Sequence, residues 1–154
     1  MGMEIVVRLL EGTAEKKAAA RQVLEALPAW FAYSAPRERY IEEAGDQAVF
    51  AAFGPAGLLG ILAMEPCTQS SAEIAVMGVL PQFHRQGVGR RLVEACQTAC
   101  RQRGMEFLLV KTLDEANPDP GYAKTRAFYR AMGFRPLKRL PELWGPADPC
   151  LAMV

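Results

Sequence analysis

Histidine is nearly absent from this chain: His84 is the only one in 154 residues. Cysteine is sparse, and Cys67, Cys96, Cys100 and Cys150 form no Cys-x-x-Cys pair. Cys96 and Cys100 stand one helical turn apart, which suits neither a disulfide nor a complete zinc site. The thiols read as reduced, as in a cytoplasmic protein, and as small hydrophobes; no metal is expected. No apolar run approaches the roughly 18 residues that cross a bilayer. The N-terminus lacks a signal peptide's order of charge, apolar core and small cleavage site. Neither sign of charge is in excess, with 18 basic against 17 acidic residues and a net charge of +1. That argues against nucleic acid or an anionic membrane as a bulk electrostatic partner. Repeats, low-complexity tracts and linkers are missing as well, so residues 1–154 read as one domain with a proper core.

What is present alternates strands with helices. Met3 to Leu10 predicts a strand, and Ala14 to Leu27 a helix with Ala20, Val23, Leu24 and Leu27 on one face. Trp30, Phe31 and Tyr33 fall in a loop after Pro28. A second helix runs from Ser34 to Ala44. Gln47 to Phe53 and Gly57 to Glu65 predict a hairpin turned at Gly54-Pro55, and Ser71 to Leu80 a fourth strand. Gln86 to Arg103 is a helix whose apolar stripe is Val88, Leu92, Cys96, Ala99 and Cys100. Met105 to Thr112 is a continuous apolar strand, expected to be buried on both faces. Tyr122 to Met132 is the last helix, and strands near Phe134 to Lys138 and Pro149 to Val154 close the chain.

The chemistry concentrates at His84-Arg-Gln-Gly-Val-Gly-Arg-Arg91. An apolar strand ends just before it and a helix opens within it. Free N–H groups at a helix start, with Arg85, Arg90 and Arg91 alongside, make an anion site for which a diphosphate is the natural guest. Gly87 and Gly89 let the backbone come close to something bulky. No Gly-Lys-Ser/Thr follows, so the Walker pattern is missing; Leu92 stands where a dinucleotide fold has its third glycine. A glycine-rich turn without a ligand would carry the same residues.

The hexapeptide His84 to Gly89 resembles the pyrophosphate loop of the GNAT N-acetyltransferases, with His in place of the usual Gln or Arg. Downstream, Phe128-Tyr129 and Gly133-Phe134 resemble the family's Phe-Tyr-xxx-Gly-Phe signature. The order of the two motifs is the family's order. The resemblance implies a mixed α/β fold, a mostly antiparallel sheet of about seven strands flanked by about four helices. It implies transfer of acetyl from acetyl-CoA to a primary amine by direct attack, the amine being a small molecule or peptide. The alternative is a non-catalytic module of the same fold that binds CoA.

The resemblance also assigns roles. A bulge in the fourth strand splays it from the fifth, and the pantetheine arm pairs with the opened edge. Gly78 suits a bulge or a close backbone approach. Met77, Gly78 and Val79 then meet the acetyl end, with a backbone N–H for the carbonyl oxygen. Arg85, Gln86, Gly87, Val88, Gly89 and Arg90 hold the pyrophosphate. Tyr129 is the candidate proton donor to the departing thiolate; otherwise it packs with Phe128 and anchors the sulfur. Glu73 is the candidate base, or a solvated strand end; period-two alternation puts it on one face with Ala75, Met77 and Val79 unless the bulge intervenes. The family's other base position holds Asn117, and a usual cofactor-contacting Asn is replaced by Tyr122. Trp30, Phe31 and Tyr33, with Tyr40, Glu38, Glu42 and Glu43, form either an aromatic and acidic lid for a cationic amine or an ordinary helix with a solvated acidic face. Trp144 reads as another pocket wall or as a cap on the sheet, and the proline-rich tail around it equally suits a homodimer contact.

Overall fold

The computed structural model describes residues 2–154. In chain order the strands are β1 (Val6–Leu9), β2 (Ala48–Gly54), β3 (Gly57–Pro66), β4 (Ser71–Val79), β5 (Phe107–Leu113), β6 (Pro136–Leu140) and β7 (Cys150–Met153). The helices are α1 (Thr13–Glu25), α2 (Ser34–Ala44), α3 (Val88–Gln102) and α4 (Pro120–Ala131). One seven-stranded sheet runs β1-β2-β3-β4-β5-β7-β6. Every neighbouring pair is antiparallel except β4 and β5.

Two cores form because the sheet is apolar on both faces. On one face α3 and α4 bury Val88, Leu92, Val93, Cys96 and Tyr129 against Leu59, Leu62, Ile74 and Val110. On the other, α1 and α2 bury Val23, Leu24, Leu27 and Ile41 against Val49, Ile61, Ala63 and Val76. Each large side chain so buried stabilises the fold by about 1.5–3 kcal/mol. The α3 stripe follows the predicted spacing, with Val93 added and Ala99 only half-buried. Helix α4 starts where Asp119 accepts a hydrogen bond from the Gly121 N–H at 2.7 Å and Pro120 presets the first turn. It ends where Gly133 takes φ +99° and the Phe134 N–H reaches back to the Tyr129 carbonyl at 3.0 Å.

The parallel pair positions the site. β4 and β5 are paired only from Ser71–Phe107 to Ile74–Val110. Beyond that point β5 belongs to β7, pairing over Val110–Leu113. β4 is left with an open backbone edge from Ala75 to Val79, and the two strands form a fork. The bulge that accompanies the fork is at Ala75, not Gly78: Met64 faces Ile74 and Ala63 faces Val76, so Ala75 has no partner on β3. Gly78 serves close approach instead. A Cβ there would lie 2.7 Å from Leu27 Cδ1 and 3.0 Å from Val23 Cγ1, so glycine lets α1 and the residues after it seat closely on β4. Two smaller differences remain. α3 begins at Val88, leaving Gln86 in the preceding turn, and β5 is interior to the sheet yet only half-buried at Leu108, Leu109 and Lys111.

Candidate active site

The connection from β4 to α3 is built from backbone. A short 3-10 turn over Pro81–Phe83 is followed by Arg85 at φ 62° and Gly87 at φ 84°. Two left-handed residues one apart curl the chain into a concave nest of N–H groups. α3 then opens at Val88 with no side-chain cap, so its first-turn N–H groups remain free to bind an anion. The glycines divide the labour. Gly87 is required by its dihedral, since nothing lies within 4 Å of the missing Cβ. Gly89 keeps a close approach: a Cβ would lie 3.1 Å from Phe128 Cζ and 3.8 Å from Met77 Cε. Met77, Gly89 and Phe128, widely separated in the chain, thus meet at the fork beside α3 and α4. Arg85, Gln86 and Arg90 are exposed around the nest.

His84 is an exposed clip. Its Nε2 lies 2.7 Å from the Val79 carbonyl, and its ring meets the edge of Trp30 with centroids 5.8 Å apart. These contacts fix the loop to the end of β4.

Tyr129 is buried between Phe128 and Phe134, with ring centroids 5.5 and 5.6 Å away. Burial, with a smaller push from Tyr122, raises its phenol well above the ordinary value. It therefore stays protonated, and its hydroxyl makes no hydrogen bond among the described residues.

Glu73 lies on the opposite face from Met77, because the Ala75 bulge resets the alternation. Ile74 and Met77 pack into the α3 and α4 core, whereas Val76 packs toward α1. Both Glu73 oxygens receive Lys111 Nζ at 3.1 Å. Sequence reasoning passed over Lys111, although a lone charge inside Phe107-Leu-Leu-Val-Lys-Thr-Leu113 was a visible signal.

The α1–α2 connection folds over the mouth of the fork. The Trp30 ring lies against Gly121, about where a Cβ would come within 3.5 Å. Its carbonyl accepts the Tyr122 hydroxyl at 3.1 Å. Tyr122, unremarked as a support, is pushed up to about 12 by burial and by Tyr40, Asp119 and Asp148. Phe31 meets Tyr40 edge-on at 6.0 Å, and burial raises the Tyr40 phenol too. Tyr33 stands apart at 73% exposure. The acidic lid dissolves into helix pairing: Glu38 takes a bidentate bond from Arg21 at 2.7 Å and Glu42 takes Lys17 at 2.8 Å. Asn117 is spent on its own loop, accepting from the Asp119 N–H at 3.0 Å. Trp144 is 40% exposed in the β6–β7 connection.

The family model for the acetyltransferase (GNAT) domain matches residues 37–136. This chain belongs to the GNAT acetyltransferase family. Its fold is shared with a GNAT-family protein from Desulfovibrio desulfuricans (TM-score 0.84, 18% identity, 97% of each chain covered). It is also similar to the ribosomal-protein-S18-alanine N-acetyltransferase from Escherichia coli (TM-score 0.77, 18% identity, covering 97% of this chain and 92% of that one). A GNAT acetyltransferase from Elizabethkingia anophelis, solved with acetyl-CoA bound, is similar at TM-score 0.71 and 14% identity, over 97% of this chain and 94% of that one. Among curated proteins none matches the chain in sequence.

Proposed function

We propose that the chain transfers an acetyl group from acetyl-CoA to a primary amine by direct attack within a ternary complex. The observation that carries this reading is the fork between β4 and β5, with the N–H nest of Arg85–Gly87 and the α3 N-terminus at its mouth. The nest suits the pyrophosphate, with Arg85, Gln86 and Arg90 around it. The open edge of Ala75–Val79 suits the pantetheine amides, as in β-strand addition. A backbone N–H near Met77, Gly78 or Val79 then meets the thioester oxygen as its charge grows.

Attack by an uncharged amine forms the new C–N bond and a tetrahedral centre. Collapse breaks the C–S bond and releases CoA thiolate. Tyr129 stabilises that sulfur. Its phenol holds its proton more tightly than an ordinary phenol, and thiols ionise near 8.5, so outright transfer to the thiolate is uphill. A hydrogen bond from the phenol to the sulfur is the contribution its burial favours. Glu73 takes the amine's surplus proton, directly or through water. Trp30 and Phe31, with Tyr40 and Tyr122 behind them, wall the acceptor side, and the acceptor is a small-molecule or peptide amine.

One observation favours the competing reading, a CoA-binding module without turnover: Lys111 already occupies Glu73. The test is release of CoA from acetyl-CoA against a panel of primary amines. Turnover accelerated by an amine and lowered about 100-fold in Tyr129→Phe supports transfer. A well-folded protein that binds acetyl-CoA, yet gives no amine-dependent release with any member of the panel, supports the module.

A further inference from the structure

The one parallel strand pair among the described residues comes apart just after Ile74–Val110. Lys111 is the first β5 residue beyond that last pair. It reaches across to Glu73, whose own β5 partner is Leu109, and its Nζ is equidistant at 3.1 Å from both carboxylate oxygens. The side chains are 32% and 17% exposed, so water screens this pair less than the surface pairs of α1 and α2. The bridge spans the crotch of the fork on the face that carries α1 and α2.

We infer that Lys111 is a positioning residue, which orients the Glu73 carboxylate at the crotch of the fork. The inference rests on Glu73 being the base proposed above. A symmetric contact from one ammonium fixes both the direction and the rotation of the carboxylate, which a solvated strand residue would not have. The remaining lone pairs of each oxygen stay available for an amine or a water. The other groups that bear on this carboxylate are uncharged or spoken for. Tyr40 comes from α2, Cys67 from the β3–β4 turn and Cys150 from β7, all with protons held above their ordinary values mainly by burial. Glu65, paired in register with Glu73, bonds to Gln47 at 3.0 Å. Lys111 is the one cation in contact with Glu73 among the described residues.

The step stays balanced without any further reactant. The acceptor ammonium or the tetrahedral centre gives a proton to Glu73, Lys111 keeps its own, and the carboxylic acid returns its proton to water after CoA leaves.

The test follows the orientation of Glu73 through turnover. CoA release from acetyl-CoA is measured with the most active amine of the panel and with water as acceptor. Lys111→Met is expected to lower kcat with the amine by about tenfold while KM for both substrates stays within about twofold, and Lys111→Arg to restore most of kcat. Lys111→Gln repeats the neutral arm should the methionine variant not fold. An unchanged kcat in a folded neutral variant, or a loss that Lys111→Arg does not recover, overturns the inference. Full turnover in Glu73→Gln sinks the base assignment, and with it any catalytic role for Lys111. Loss of turnover in Glu73→Gln beside full turnover in Lys111→Met keeps the base and overturns Lys111 alone.

Discussion

The two sides of the fork are made of different material. The proposed cofactor side is backbone: an open strand edge, a left-handed turn and an uncapped helix start. Its side chains are exposed arginines or small apolar packing at Met77, Gly89 and Phe128. The proposed acceptor side is side chains: Trp30 on Gly121, Tyr122 on the Trp30 carbonyl, Phe31 on Tyr40, Lys111 on Glu73. Backbone amides bind what every member of a family shares, because they are indifferent to side-chain replacement. Side chains held by distant parts of the chain can be exchanged, and a pocket built from them changes its guest without disturbing the cofactor.

That division is easiest to break by adding bulk to the backbone side. Gly89→Leu drives a side chain into Phe128, whose ring already stands 3.1 Å from a Cβ there. Overpacking at that point is expected to lower acetyl-CoA affinity by at least about 100-fold, read by calorimetry on protein whose melting shows it folded. Deletion on the other side sharpens the contrast. Trp30→Ala should raise the amine KM by about tenfold, with acetyl-CoA affinity unchanged. Equal losses in both quantities would mean that Trp30 belongs to both halves.

A weaker effect separates the buried phenols from the exposed loop. Tyr122 and Tyr129 hold their protons more tightly in the folded chain than the ordinary phenol at 10. Their contribution to stability is intact below about 10, where both states are protonated. Above it the unfolded chain ionises while the folded chain does not, and stability falls as pH rises, from about 10 to about 12 for Tyr122 and further for Tyr129. The urea midpoint should therefore drop between about pH 10 and about pH 12, and Tyr122→Phe should flatten part of that drop.

The same division explains what the sequence could tell. Helix periodicity, the Gly54-Pro55 turn and the Gly133 cap are local signals, and the elements they predict are the elements found. The cofactor loop is legible for the same reason, being contiguous and punctuated by glycine. The bulge was not: Ala75 carries no mark, since a bulge needs a register mismatch with β3 rather than a special residue. Gly78 drew attention because it is a glycine, and its reason lies in α1, far off in sequence. Trp30 and Tyr122 are 92 residues apart, and Glu73 and Lys111 are 38 apart. No periodicity relates such pairs; only the parallel register of β4 with β5 and the path of α2 bring them together. The acidic residues of α2 read either way, as a lid or as a solvated helix face, and their partners Lys17 and Arg21 were not legible, since they lie on a helix whose packing angle the sequence does not specify.

The most direct test of the account is a calorimetric titration of the protein with acetyl-CoA, beside Gly87→Glu. The substitution places a carboxylate in the nest, at a residue whose φ of 84° is costly for anything but glycine. Saturable one-to-one binding in the wild type, abolished in a folded Gly87→Glu protein, is the predicted result. No heat from a well-folded wild type, or equal affinity in both proteins, would contradict the assignment of the nest and fork to the cofactor.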